Sequence, residues 1–191
     1  ATIIYKMYVD AGVKIEPKIA LLMCSAIISD TLIFRSPTCT EMDREAGKAL
    51  AEIAGINIKE HAHEMFFAGS NISEKTAKEL FTGDFKRFSI GDTTFGIGQV
   101  SCMDGEELDQ VKKKVMTYMK EQYKSLGVNM LYFMLTDIIK PGTELLCVGD
   151  GAMELVERAF GVQGSDDVVY LPGVVSRKKQ VVPEIMMEIT Q

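Results

Sequence analysis

Ile3, Ile4, Met7 and Tyr8 recur at helical spacing ahead of an Ala11-Gly12 break, so the chain is expected to open in a helix, with no capping residue before it. Glu16-Pro17 sets a proline where a second helix can begin, and the apolar run to Ile28 reads as a buried helix ending at Ser29-Asp30. The segment from Arg35 to Thr40, with a proline among hydroxyl residues, reads as a loop. Thr38 or Thr40 can cap a third helix, whose Ala46, Leu50, Ile53 and Ala54 share a face before Gly55 stops it. A short helix from Ile58 to Phe67 then runs into Ala68-Gly69-Ser70-Asn71, the expected linker.

Beyond that point the period changes. A helix from Ser73 to Leu80 is followed by strand-like runs at Phe85 to Ile90 and Thr94 to Ser101, joined as a hairpin by Gly91-Asp92. Asp104 with Glu107 resembles a capping box opening a long amphipathic helix that carries Leu108, Val111, Val115, Tyr118, Met119 and Tyr123 and closes at Gly127. A buried strand from Met130 to Leu135, the Lys140-Pro141-Gly142 turn, a strand from Leu145 to Val148 and a helix from Asp150 to Phe160 come next. Val168 to Tyr170 and Gln180 to Ile185 are expected as strands flanking a basic loop. The fold class is therefore α/β: a mainly helical first part over residues 1–67, a linker or hinge over 68–72, and a mixed-sheet α/β domain over 73–191. No internal repeat interrupts this order.

A chain of 191 residues that is 47% apolar can bury one generous core or two small ones. Its net charge of −6 works against long-range attraction to nucleic acid or an anionic membrane. An anionic ligand must therefore be held by a local cluster of cations or by metal. Cys24, Cys39, Cys102 and Cys147 are far apart and form no C-x-x-C pair, which fits a reducing compartment. The longest apolar stretch, Ile19 to Ile28, is too short to span a bilayer and does not form a signal peptide, so a cytoplasmic location is expected.

The sharpest cluster is Pro172-Gly173-Val174-Val175-Ser176-Arg177-Lys178-Lys179-Gln180. Arginine can clamp phosphate oxygens bidentately and lysine can add a point charge, although a short charge run can equally be a solvated face. Asp30 alone reads as a helix terminus and Lys86 as a solvent-facing strand residue. His61 and His63, two apart on a helix, point to different sides and cannot chelate one ion as an i, i+4 pair would. Gly96-Ile97-Gly98 and Gly149-Asp150-Gly151 complete no nucleotide-binding pattern and read as hairpin and helix-start glycines. Met116, Met119, Met130 and Met134 read as core filling.

Residues 172–183, PGVVSRKKQVVP, closely resemble the substrate-binding motif of family II inorganic pyrophosphatases, members of the Asp-His-His phosphoesterase superfamily. Leu22 to Thr40 also resembles that family, with Ser25-Ala26-Ile27-Ile28-Ser29-Asp30-Thr31 running on to Phe34-Arg35-Ser36-Pro37-Thr38-Cys39-Thr40. The likeness continues through Ala51 to Ile56 and Asp84-Phe85-Lys86-Arg87-Phe88. It implies hydrolysis of pyrophosphate to two phosphates by a metal-activated water, with Mn2+ or Co2+ as cofactor and Mg2+ accompanying the substrate. It implies Asp30 as a metal ligand and Lys86, Arg177 and Lys178 as substrate ligands, with Lys179 supportive. It further implies that residues 1–67 are the C-terminal part of a phosphoesterase domain, that 73–191 bind substrate, and that the two close about the hinge.

The family's remaining metal ligands, from a His-x-x-x-Asp-x-Asp motif, a further aspartate and the Asp-His-His motif, have no counterpart among these residues and are expected upstream of Ala1. The chain is therefore expected to be a C-terminal fragment, inactive alone, of a protein that could dimerise through its N-terminal domain and could carry a regulatory CBS insert there. A related short-chain polyphosphatase and a non-catalytic phosphate-binding module are the alternatives.

Overall fold

A computed structural model of the chain describes residues 1–70, 72–102 and 105–190. They fall into two compact units, Ala1–Ser70 and Asn71–Gln191.

The first unit is helical: α1 (Thr2–Asp10), α2 (Pro17–Asp30), α3 (Glu41–Ala54) and α4 (Ile58–Ser70). Pro17 opens α2 where its missing N–H costs nothing, and Thr40 caps α3 by accepting from the Asp43 N–H while the Asp43 carboxylate accepts from Thr40. Gly55 ends α3 in the left-handed conformation expected of a helix-terminating glycine. The core joins Ala20, Met23, Cys24, Ile27 and Ile28 of α2 to Ala46, Leu50 and Ala51 of α3 and Ala62 of α4. His61 serves this packing: its Nε2 lies 2.7 Å from the hydroxyl of Ser25 on α2. His63 is exposed and stacks on Phe67. Residues 68–70, expected as linker, instead continue α4, since nothing in them opposes a helix as proline would. The rest of the expected linker is Asn71, outside the described residues, and Ile72, which opens a 3-10 turn.

In the second unit the helix expected from Ser73 is divided. A 3-10 turn over Ile72–Glu74 precedes α5 (Ala77–Gly83), because Thr76 and Glu79 form a capping box that sets the start later. A five-stranded sheet follows in the order β1-β2-β3-β4-β5: Lys86–Ile90, Thr93–Cys102, Met130–Asp137, Gly142–Val148 and Val168–Pro172. β1 and β2 form the expected antiparallel hairpin, α6 (Gly105–Gln122) carries the chain to β3 in parallel with β2, and β3-β4-β5 pair antiparallel. Asp104, expected to cap α6, lies outside the described residues.

β3 is buried on both faces, which explains its unbroken apolar run. Tyr132 and Met134 pack with α7 (Ala152–Phe160) and α8 (Val182–Ile189), while Leu131, Phe133 and Leu135 pack with α5 and α6. Gly96 and Gly98 lie on β2, the second strand of the expected hairpin, where Gly96 pairs with Arg87. A Cβ on either would lie 2.5 Å from an aromatic ring, Phe85 at Gly96 and Phe133 at Gly98.

The segment Gln180 to Ile185, expected as a strand, is helical. A π turn over Arg177–Val181 runs straight into α8. Val181 and Val182 imitate a strand's β-branched composition, but Ser176 caps the turn by accepting from the Lys179 N–H and Pro183 lies in the first turn of α8. Among the described residues, no helix is long and apolar enough to cross a membrane.

Candidate functional site

The basic segment is held from several sides. Gly173, at φ +74, donates its N–H to the Pro141 carbonyl, and the buried Thr143 hydroxyl on β4 donates to the Val174 carbonyl at 2.6 Å. Gln180 clasps the same loop: its side-chain oxygen accepts from the Val175 and Ser176 N–H groups, both at 3.0 Å, and its amide donates to the Gly173 carbonyl. Val174 and Val175 are buried beneath. A polar clasp over an apolar floor fixes where the cations begin.

Arg177 is 7% exposed, yet carries a full charge. Its Nη1 donates to the main-chain carbonyl of Asp84 at 2.6 Å and to that of Ile97 at 3.2 Å, and its Nη2 donates to the Asp84 carboxylate at 2.7 Å. Such hydrogen bonding and a countercharge are what a buried cation needs. Lys178 and Lys179 are exposed. Lys86, also exposed, is the first residue of β1, two places after Asp84, and its register partner on β2 is Ile97. Arg177 and Lys86 thus belong to one part of the second unit, since Arg177 reaches the residues that flank Lys86 along the chain and across the hairpin, and Lys178 follows Arg177 in the chain.

Asp84 was visible in the sequence only as part of the motif Asp84 to Phe88, with no role attached. Its signal was to be the carboxylate of that motif; the partner that gives it meaning lies 93 positions away.

Asp30 belongs to the first unit, as the last, exposed residue of α2. The chain leaves it through an uncommon turn. Thr31 is buried, its hydroxyl donating to the Ile27 carbonyl at 2.6 Å, and Leu32, Ile33 and Phe34 follow with φ of 47°, 56° and 63°. Three successive left-handed residues without glycine are costly, and Ile33 is β-branched besides. Main-chain bonds from Ile33 to Ile28 and from Ser36 to Thr31 hold the turn, and the Phe34 ring fills the space left by Gly47 on α3.

Among the described residues, no group of three or more His, Cys, Asp or Glu side chains converges as a metal site. Asp30 offers one hard oxygen donor, which suits a manganese-like ion but cannot retain it unaided. The described residues therefore do not by themselves fit a metal centre.

A family model described as the DHHA2 domain matches residues 63–187, about two thirds of the chain. A Clostridium acetobutylicum protein named as a probable manganese-dependent inorganic pyrophosphatase is 46% identical over 99% of this chain, which covers 61% of that protein. A cobalt-dependent inorganic pyrophosphatase of Clostridium perfringens is 43% identical over the whole chain, which covers 34% of it. The crystal structure of a Methanococcus jannaschii protein assigned to the family II inorganic pyrophosphatases matches with a TM-score of 0.82 at 39% identity, over the whole of this chain and 64% of that one. The chain thus spans about three fifths, or less, of these relatives. With a family match running from within α4 into α8, the chain belongs to the DHHA2 domain family.

Proposed function

We propose that this chain is the C-terminal portion of a metal-dependent inorganic pyrophosphatase, with Arg177, Lys178 and Lys86 gripping pyrophosphate and Asp30 donating one ligand to the metal. The observation that carries the reading is the convergence of Arg177 and the Lys86 hairpin in an acidic chain whose whole length matches proteins named as pyrophosphatases. The remaining ligands come from outside these residues in this reading, and the metal is manganese or cobalt, as in the names of those relatives. Mg2+ accompanies the substrate.

The chemistry asked of this chain is electrostatic. Hydrolysis spreads negative charge over the transferring phosphoryl oxygens, and a guanidinium fork with two ammonium groups stabilises that charge where it develops. Four free thiols support a cytoplasmic location, and the acidic balance disfavours nucleic acid and membrane surfaces as partners. Dimerisation, if present, is assigned to the portion outside this chain.

The test is phosphate release from pyrophosphate by the complete protein, with and without Mn2+ or Co2+, beside the 191-residue chain alone. Metal-dependent release by the complete protein and none by the chain is expected. Replacing Arg177 by Ala is expected to lower kcat/KM about 100-fold, the loss of charge-assisted hydrogen bonds worth about 1.5–3 kcal/mol. Preference for tri- or tetraphosphate would shift the assignment to a polyphosphatase, and tight phosphate binding with no hydrolysis would make the protein a binding module.

A further inference from the structure

We propose that Asp84 is the positioning residue for Arg177: it fixes which edge of the guanidinium faces the phosphoryl group, an inference that rests on the substrate role given to Arg177 above. A guanidinium has five N–H donors in a planar fork. Three are committed within the protein. Nη1 uses both of its hydrogens, on the Asp84 and Ile97 carbonyls, and Nη2 uses one, on the Asp84 carboxylate. Asp84 therefore holds the end-on edge with its carbonyl and its carboxylate together. Two donors remain uncommitted among the described residues, Nε–H and the second hydrogen of Nη2. They lie on the same side of the group and form the side-on fork, the geometry that meets two oxygens of one phosphoryl group bidentately.

The environment supports the assignment. The Arg177 side chain is 8% exposed and has little freedom to swing, whereas the Asp84 side chain is 52% exposed. Solvent therefore weakens the charge attraction between them, while the fixed geometry of three hydrogen bonds remains. Asp84 precedes Lys86 by two residues, so one short segment aims a guanidinium and supplies an ammonium. Pre-set donors of this kind act in the transition state without reorganising.

The experiment uses the complete protein and measures binding of imidodiphosphate, a non-hydrolysable pyrophosphate analogue, together with kcat and KM for pyrophosphate. Arg177→Ala is expected to weaken analogue binding about 100-fold and Asp84→Ala about 10-fold, in line with losing a charge-assisted grip and its orientation respectively. Asp84→Asn keeps an acceptor oxygen for Nη2 and is expected to stay within about 3-fold of the parent. In the Arg177→Ala background, Asp84→Ala is expected to add no further loss, a non-additivity that general destabilisation would not produce. The double variant also leaves no buried unpaired charge, so it controls for folding. Unchanged or tighter binding in Asp84→Ala, or equal losses in both backgrounds, overturns the assignment of Asp84 alone. An Arg177→Ala variant that binds the analogue normally overturns instead the substrate role of Arg177.

Discussion

Gly98 sits where a methyl group has no room. A Cβ there would lie 2.5 Å from the fully buried ring of Phe133 and 3.2 Å from the main-chain oxygen of Phe81. Neither neighbour can yield readily, because one is locked between helices and the other is backbone. Gly98→Ala is expected to cost about 1–3 kcal/mol, read as a lower urea midpoint with an unchanged slope. The glycine pair of β2 was conspicuous in the sequence, but its reason was not, since the rings of Phe85 and Phe133 that require it are contributed by other segments. Asp84 was obscure for the same cause. By contrast, the sequence itself offers Arg177, Lys178, Lys86 and Asp30 as candidates, because each stands in an uncommon string of neighbours along the chain. The left-handed turn at Leu32 to Phe34 had no such signal: the residues there carry no glycine to advertise it.

At the scale of elements, local chemistry that closes within four residues was legible. The Thr40 cap, the Gly55 stop, the Gly91-Asp92 hairpin and the buried strand β3 follow from short-range pattern. The Val181-Val182 pair misled, because β-branched residues favour strands only when a sheet edge is on offer, and here Pro183 and the Ser176 cap draw them into α8. The capping boxes carry testable consequences. Thr40→Ala is expected to destabilise the first unit by about 1 kcal/mol in denaturant melts. The Asp43 carboxyl is held below its ordinary value of 3.8, first by the Thr2 hydroxyl and then by the N–H and hydroxyl of Thr40. Glu79 is held below 4.5 by the N–H and hydroxyl of Thr76. A depressed folded pKa means that the stabilisation is complete above the unfolded value and disappears as pH falls through the folded one. Asp43→Asn is therefore expected to flatten the dependence of stability on pH below about 4, measured by urea melts across an acid series.

Across the whole molecule, the two cores report on themselves through cysteine. Cys24 is buried in the first unit and Cys102 and Cys147 in the second, while Cys39 is partly exposed. Burial pushes the Cys147 thiol well above the usual range, which further suppresses its thiolate. One thiol in four is expected to react with an aromatic disulfide reagent under native conditions and the other three only on unfolding. Rapid native labelling of Cys147, traced by peptide mass, would contradict the packing between β3, β4 and α7. The division into a helical part and a sheet part was readable from the change of period near residue 70.

The span of the Arg177–Asp84 tie has a consequence for biosynthesis. Asp84 and Ile97 leave the ribosome well before Arg177, which lies 93 and 80 positions further along the chain. A nascent polypeptide can thus complete the β1–β2 hairpin and its pairing with β3 and β4 before the guanidinium that ties to this hairpin has been made.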